Sequence, residues 1–143
     1  MNMTDDAKIA KEILDSQDYT CVICKGNMIC TSTERGIAPL LKLIDNDVSL
    51  EGFCAADKVV GKSAAMLYKL LGIDYVYANV ISDAAAHFFE IENIGFSYNQ
   101  KVEMIRNRTN DGFCPMEQTV LNISDCEKAL EALRRKLNEM KGN

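Results

Sequence analysis

The sequence predicts a single α/β domain, spanning residues 1–143, that is built on a mixed β-sheet. With 143 residues, 48% of them hydrophobic, the chain is of a size that buries one ordinary core. Apolar runs typical of strands alternate with apolar residues at helical spacing, which is the pattern of a sheet with helices packed on it. An early hairpin adds antiparallel pairing, so we expect a mixed sheet.

The first elements follow from caps and turns. Residues 4–16 predict a helix that Thr4 can cap, with acidic residues in its first turn. Residues 18–34 predict a β-hairpin, because two apolar runs flank a Gly-Asn pair. Residues 36–47 predict a short helix with Pro39 in its first turn, where the missing N–H of proline is tolerated.

The stretch from Cys54 to Gly72 predicts a helix that follows directly on a strand over residues 49–55. Its apolar residues recur at helical spacing, and Gly72 ends it in the usual way. In this interpretation Asp57 lies at the helix start, and Gly61, Lys62 and Ser63 lie inside the helix. The expected buried face comprises Val59, Val60, Ser63, Ala64, Leu67, Leu70 and Leu71.

The second half continues the alternation of strands and helices. Residues 74–81 are rich in β-branched and aromatic side chains and predict a strand, after which Ser82 or Asp83 caps a helix. Gly95 opens another strand, and residues 107–121 form a loop with a turn and a short element. A final helix follows, for which Ser124 and Glu127 predict a capping box.

Charge and hydropathy exclude several classes of function. The net charge of −5 lacks the basic footprint of a dedicated nucleic-acid binder. The N-terminus is acidic and polar, unlike a signal peptide. No apolar run approaches the roughly 20 residues that cross a bilayer. We therefore expect a cytoplasmic protein without nucleic-acid or membrane partners.

The six cysteines are read as reduced thiols, which is the default without export. Cys21 and Cys24 resemble a metal-binding pair. However, they lie on a predicted strand, where residues three apart point to opposite faces. The chain also has a single His and lacks the usual second pair of ligands. We expect no metal site and no cofactor.

Gly61-Lys62-Ser63 resembles the end of a phosphate-binding loop. That loop needs a glycine five residues earlier, and the chain has Ala56 there. In the predicted helix interior the backbone N–H groups would already be paired and could not hold a phosphate. The sequence therefore argues against a phosphate-binding loop, although a glycine inside a helix costs about 1 kcal/mol and calls for a close neighbour.

Three segments, residues 56–65, 75–85 and 107–121, carry a family resemblance. They read ADKVVGKSAA, YVYANVISDAA and NRTNDGFCPMEQTVL, and none of them is a common motif. The chain resembles, over nearly its whole length, the prokaryotic family catalogued as domain of unknown function 1893. The resemblance implies a cytidine-deaminase-like fold, in which three layers place the mixed sheet between helices.

The resemblance does not extend to deaminase chemistry. A zinc deaminase carries His-x-Glu or Cys-x-Glu at one helix start and Pro-Cys-x-x-Cys at the next. Here the segments taken as equivalent contain Asp57 and Ser82, and the later Cys114-Pro115 pair reverses the order and lacks a second cysteine. We therefore expect a deaminase-like fold without the zinc site.

Three hypotheses of function remain open. In the first, the domain binds a nucleotide-like or ribose-bearing small molecule, with contacts from Lys58, Gly61, Lys62, Ser82, Asp83, Asn107 and Arg108. In the second, it is a metal-independent enzyme in which Asp57 or Cys114 is catalytic. In the third, it is a structural or regulatory homo-oligomer; self-assembly rests on analogy with deaminase-like folds.

Overall fold

The structure is a computed structural model that describes residues 4–107, 109–110 and 112–141. Six helices and five strands alternate along these residues. In chain order they are α1 (Asp5–Ser16), β1 (Cys21–Lys25), β2 (Met28–Ser32), α2 (Ala38–Asp45), β3 (Cys54–Val60), α3 (Lys62–Leu71), β4 (Tyr75–Ser82), α4 (Asp83–Ile91), β5 (Gly95–Val102), α5 (Pro115–Val120) and α6 (Cys126–Lys141).

The strands form one five-stranded sheet in the order β2-β1-β3-β4-β5. The hairpin strands β1 and β2 are antiparallel, and β1 also pairs antiparallel with β3, with Cys21 opposite Asp57. From β3 onward the strands are parallel, because α3 and α4 carry the chain back to the same end of the sheet. The predicted mixed sheet and α/β class are confirmed.

The sheet separates two layers of helix, which makes the fold three-layered. Helix α1 covers one face, where Ala10 and Leu14 pack against Val22 and Tyr77. The other five helices cover the opposite face and build the larger core. Its fully buried side chains include Leu40, Leu67, Phe89, Val120 and Leu133. Because residues alternate along β1, Cys21 and Ile23 belong to this core while Val22 and Cys24 face α1.

Local sequence signals explain most of the helix and turn boundaries. Thr4 Oγ1 accepts the N–H of Ala7 at 3.2 Å and caps α1 as predicted. Gly26 has φ of 58°, a left-handed conformation that suits glycine in a two-residue hairpin turn. Gly72 ends α3 with φ of 88°. None of the described helices is both long enough and apolar enough to cross a bilayer.

The predicted helix from Cys54 to Gly72 is wrong in its first half. Residues Cys54–Val60 form strand β3, and α3 begins only at Lys62. The pattern of Val59, Val60, Ser63 and Ala64 fits a helix, but β3 is a strand paired on both sides, and Val59 is exposed. Tertiary pairing therefore overrides the local helical spacing.

The start of α6 also differs from the prediction. The helix begins at Cys126, and Asp125 rather than Ser124 occupies the capping position. Asp125 Oδ1 accepts the N–H of Lys128 at 3.0 Å. The predicted capping box of Ser124 and Glu127 is therefore wrong, since the residue three positions after Asp125 is Lys128 and not the Glu or Gln that a box requires.

This difference predicts unequal effects of two neighbouring substitutions. Asp125→Ala removes the cap acceptor and should lower the free energy of unfolding by about 1 kcal/mol. Ser124→Ala serves as the matched control and should change it by less than about 0.5 kcal/mol. Urea unfolding followed by circular dichroism measures both. Equal losses in the two variants would contradict the assignment of Asp125 as the cap.

Candidate functional site at the carboxyl ends of the parallel strands

Two helix starts lie side by side at one end of the sheet. Val60 at the end of β3 is paired with Ile81 near the end of β4. The next residues, Gly61 and Ser82, precede α3 and α4. In open α/β sheets this edge, outside the carboxyl ends of the parallel strands, is where ligands generally bind. A ligand site is therefore expected at this edge of the sheet.

The start of α3 holds a buried carboxylate from the same chain. Glu117 of α5, only 5% exposed, accepts the N–H groups of Lys62 at 2.7 Å and Ser63 at 2.9 Å. It also accepts the hydroxyl of Ser63 at 2.5 Å. The charge lies at the positive end of α3, where free N–H groups favour an anion. Glu117 thus ties α5 to the β3–α3 junction.

Gly61 leaves the space for this carboxylate. A Cβ atom at Gly61 would overlap the carboxylate carbon and both oxygens of Glu117. The backbone of Gly61 is extended, with φ of −97° and ψ of −179°, which any residue adopts. The requirement for glycine is therefore one of close approach and not of backbone conformation. Gly61 precedes α3 and does not lie inside it, and its close neighbour is the side chain of Glu117.

The prediction that Lys62 and Ser63 lie inside a helix is wrong, since they open α3. Their N–H groups are consequently of the kind that holds phosphate in nucleotide-binding loops. Here Glu117 takes them instead, and Lys62 Nζ donates to the carbonyl of Leu121 at 3.2 Å. A phosphate-binding loop is therefore disfavoured because Glu117 occupies the N–H donors, and not because those donors are paired within a helix.

The start of α4 is completed by its own cap. Ser82 is buried, and its hydroxyl accepts the N–H of Ala85 at 3.1 Å. Asp83 is exposed in the first turn, where its charge suits the helix dipole. The structure thus places Gly61, Lys62, Ser82 and Asp83 at one edge. The N–H group of Lys62 bonds to Glu117, and the hydroxyl of Ser82 caps α4, so both groups already have hydrogen-bond partners.

Beside these helix starts lies an open cavity of about 470 Å³, which we call the strand-end groove. Valines from the ends of all three parallel strands form an apolar wall, and polar side chains come from the segment after β5. The lining residues are Val59, Val80, Val102, Glu103, Met104, Ile105, Arg106, Asn107 and Asn110. Ligand sites typically have this size and this mixture of apolar surface with a few polar groups.

The segment after β5 is held in place by its own hydrogen bonds. The N–H of Cys114 donates to the carbonyl of Ile105 at 3.1 Å, and Arg106 pairs with Phe113 across a short bridge. Asn107 accepts the hydroxyl of Thr109 at 3.1 Å. Asn107 therefore lines the groove, whereas Arg108 lies outside the described residues. Cys114 is half-buried at the start of α5 and does not line the groove.

Asp57 does not lie at a helix start, which corrects its predicted position. It lies within β3 and points toward α3, where Tyr68 donates its hydroxyl to Asp57 Oδ2 at 2.7 Å. Burial raises the pKa of Asp57 to about 7, against the opposing effect of the hydrogen bonds from Tyr68 and from backbone N–H groups. Asp57 is thus a carboxyl that titrates near neutrality.

Lys58 and Asp57 do not line one side of a common cleft, as the helical interpretation required. On a strand, consecutive side chains point to opposite faces. Lys58 instead lies 3.7 Å from Asp18, in an exposed ion pair before β1. Neither residue lines the strand-end groove. Within the described ranges, no three side chains of His, Cys, Asp or Glu converge as metal ligands would.

Sequence reasoning missed three residues that organise the interior. Neither Glu117 nor Tyr68 was among the predicted site residues, and Cys21 was considered only as a metal ligand. One signal was available: a glycine next to Lys62 called for a close neighbour. No local pattern could identify that neighbour as Glu117, which lies more than 50 residues further along the chain. Catalytic roles for Asp57 and Cys114 stay predictions.

A mixed five-stranded sheet between helices, with a groove at its parallel strand ends, defines a small three-layer α/β protein. The profile of TM1506, domain of unknown function DUF1893, matches residues 9–137. The chain belongs to this family. It is also similar to the crystal structure of a DUF1893 family protein (TM1506) from Thermotoga maritima. That likeness has 27% identity, a TM-score of 0.86 and coverage of 94% of this chain and 92% of the other. No curated protein matches the chain.

The close approach of Glu117 to Gly61 predicts that a methyl group added at residue 61 will destabilise the fold. Gly61→Ala should destabilise the fold by about 1–3 kcal/mol, because the buried carboxylate must move away from its donors. Gly112→Ala is the control, since a Cβ there would lie 3.5 Å from the Asn107 amide, an ordinary contact. Denaturant unfolding measures both. A stability loss in Gly61→Ala no larger than that in Gly112→Ala would refute the packing argument.

The raised pKa of Asp57 predicts a specific pH dependence of stability. The folded value of about 7 lies above the unfolded value near 3.9, so the native state binds the extra proton between these values. Its stabilising effect is present below about pH 4 and is lost as pH rises toward 7. Asp57→Asn lacks this titration. Its stability relative to the natural protein should therefore rise between pH 4 and 8, by roughly 1.4 kcal/mol for each unit that separates the two pKa values.

Urea unfolding of both proteins at several pH values in this range measures the difference. Because all other groups titrate alike in the two proteins, the subtraction isolates Asp57. A pH-independent difference would mean that Asp57 titrates normally in the folded state.

Proposed function

We propose that the chain is a binding domain for a nucleotide-like or ribose-bearing small molecule, which it holds in the strand-end groove. The observation that carries this proposal is the groove itself: about 470 Å³ at the carboxyl ends of three adjacent parallel strands. A volume between about 300 and 1,000 Å³ suits ligands of this size.

The chemistry of the lining favours a ligand with a flat apolar part and a charged part. Val59, Val80 and Val102 offer a surface against which a base or another ring can lie. Arg106 provides a guanidinium, which matches phosphate with two parallel hydrogen bonds. Glu103 can accept hydrogen bonds from sugar hydroxyls, and the Asn107 and Asn110 side chains add amide groups.

The occupied start of α3 indicates which end of the site takes the anion. Glu117 already fills the N–H groups of Lys62 and Ser63. A second anion there would meet a buried carboxylate. The phosphate of the proposed ligand therefore contacts Arg106, on the far side of the valine wall, and not the Gly61-Lys62-Ser63 segment.

The topology of the sheet is compatible with a fold family that handles nucleosides. An antiparallel hairpin joined to three parallel strands, with helices on both faces, is compatible with a cytidine-deaminase-like fold. Such a relation would place the chain among folds that handle nucleosides, although fold alone does not define a function. Homo-oligomerisation and a cytoplasmic location stay predictions.

Calorimetric titration tests the proposal with cytidine monophosphate, adenosine monophosphate, ribose phosphate and inorganic phosphate as probes. We expect at least one of the sugar-containing probes to bind more tightly than inorganic phosphate. Arg106→Ala should weaken that binding about 10- to 100-fold, as expected for the loss of a charged hydrogen bond. Arg135→Ala is the control, because Arg135 is exposed on α6 and does not line the groove.

A second variant tests the apolar wall. Val59 is 47% exposed, so Val59→Asp should leave the fold intact while placing a carboxylate where the ring would lie. Loss of binding in this variant supports the assignment. Binding of all probes unchanged by both substitutions, or no binding by any probe, would overturn the proposal.

A further inference from the structure

A second group of functional side chains lies away from the strand-end groove, between β1, β3 and α3. Cys21 and Asp57 are direct neighbours across the β1–β3 pairing. Both side chains meet the hydroxyl of Tyr68 on α3: Cys21 Sγ at 3.3 Å and Asp57 Oδ2 at 2.7 Å. Tyr68 is fully buried. Three titratable groups thus form one continuous hydrogen-bonded chain inside the protein.

The direction of the protons in this chain follows from the donors available. A tyrosine hydroxyl has one hydrogen and can accept others. When Asp57 is ionised it can only accept, so the Tyr68 hydrogen points to Asp57. The thiol of Cys21 must then donate to the Tyr68 oxygen. A proton that leaves Cys21 therefore has a direct route to Asp57.

The Cys21 end of this chain borders a cavity. Cys21 lines a second cavity, of about 390 Å³, between the hairpin and α2. We call it the hairpin groove; its walls include Cys30, Ser32, Glu34, Pro39 and Lys42. Cys21 is 5% exposed, so little of this residue is in contact with solvent. Neither Tyr68 nor Asp57 lines the hairpin groove, and Asp57, at the other end of the chain, is partly exposed.

We propose that Cys21, Tyr68 and Asp57 form a relay that makes Cys21 a nucleophile toward a small activated ester or thioester bound in the hairpin groove. Cys21 attacks the acyl carbon while its proton passes to the Tyr68 oxygen and the Tyr68 proton passes to Asp57. A bond from sulfur to the acyl carbon forms and the bond to the leaving group breaks. The leaving alcohol or thiol takes a proton from water in the open hairpin groove, and Asp57 afterwards releases to solvent the proton that it received.

Electrostatics explain why a relay is needed. Burial, with Asp57 nearby, raises the pKa of Cys21 far above its usual range, so a free thiolate is scarce at neutral pH. A nucleophile of this kind reacts when a base removes its proton during the attack, as a serine does. Burial places the pKa of Asp57 at about 7, which suits a base that works near neutral pH.

The groups that surround the relay can be named. Besides Asp57 and Tyr68, Cys30 on β2 affects the pKa of Cys21, which it raises. Asp57 accepts hydrogen bonds from backbone N–H groups of its own strand. Glu34 and Lys42, at the groove wall, form an ion pair with each other. The relay is independent of the strand-end groove, because none of its three residues lines that cavity.

The test uses p-nitrophenyl acetate as the probe and the full chain with Cys30→Ser, which removes the exposed thiol of the same groove. Single-turnover acetylation is followed by nitrophenolate release and by fragment mass spectrometry, which separates Cys21 from Cys24. We expect acetyl transfer to Cys21 with a rate that rises through pH 7 and then levels. Cys24 faces α1 and serves as the internal control.

Tyr68→Phe and Asp57→Asn should each slow the acetylation of Cys21 at least about tenfold and remove the inflection near pH 7. Circular dichroism checks that both variants are folded. If either is not, the pH profile of the Cys30→Ser protein still decides. No acetylation of Cys21, a rate that rises steadily above pH 9, or equal rates in folded Asp57→Asn would overturn the relay.

Discussion

The bond between Glu117 and the start of α3 is the interaction on which the arrangement of this protein depends most. One carboxylate satisfies two backbone N–H groups and one hydroxyl at the junction of β3 and α3. A helix end buried without such partners is costly. Glu117 also fixes α5, which packs in turn on α6. The same contact therefore joins the central helix to the C-terminal part of the domain.

The two cavities divide the molecule into regions of different chemistry. The strand-end groove combines an apolar wall with a guanidinium and amide groups, as suits recognition of a ligand. The region between β1 and α3 contains a partly buried carboxyl, a phenol and a thiol in sequence, as suits proton transfer. Both regions use β3: Val59 lines the first, and Asp57 belongs to the second.

Much of the fold could be predicted from the sequence, because its local signals agree with the tertiary structure. The cap at Thr4, the Gly-Asn turn, Pro39 at the start of α2 and the left-handed Gly72 each mark a boundary that the structure retains. The prediction failed for β3, where small and β-branched residues fit both periodicities over a short run. Only the pairing with β1 and β4 decides between them.

The candidate site was predicted less well, since one misplaced element changes the direction of every side chain on it. Ser82, Gly61 and Asn107 were brought to the expected edge, whereas Asp57 and Lys58 turned out to point to opposite faces of a strand. Glu117 and Tyr68 escaped prediction because their roles depend on partners far away in the chain. Long-range contacts of this kind leave no local pattern.

The long separation between Glu117 and α3 has a consequence for how the protein is made. All five strands are complete once Val102 has been synthesised, but the acid that closes the start of α3 follows only fifteen residues later. The five strands are therefore synthesised before the acid that anchors the start of α3. A chain that ended before α5 would contain all five strands but would lack the carboxylate that accepts the N–H groups of Lys62 and Ser63.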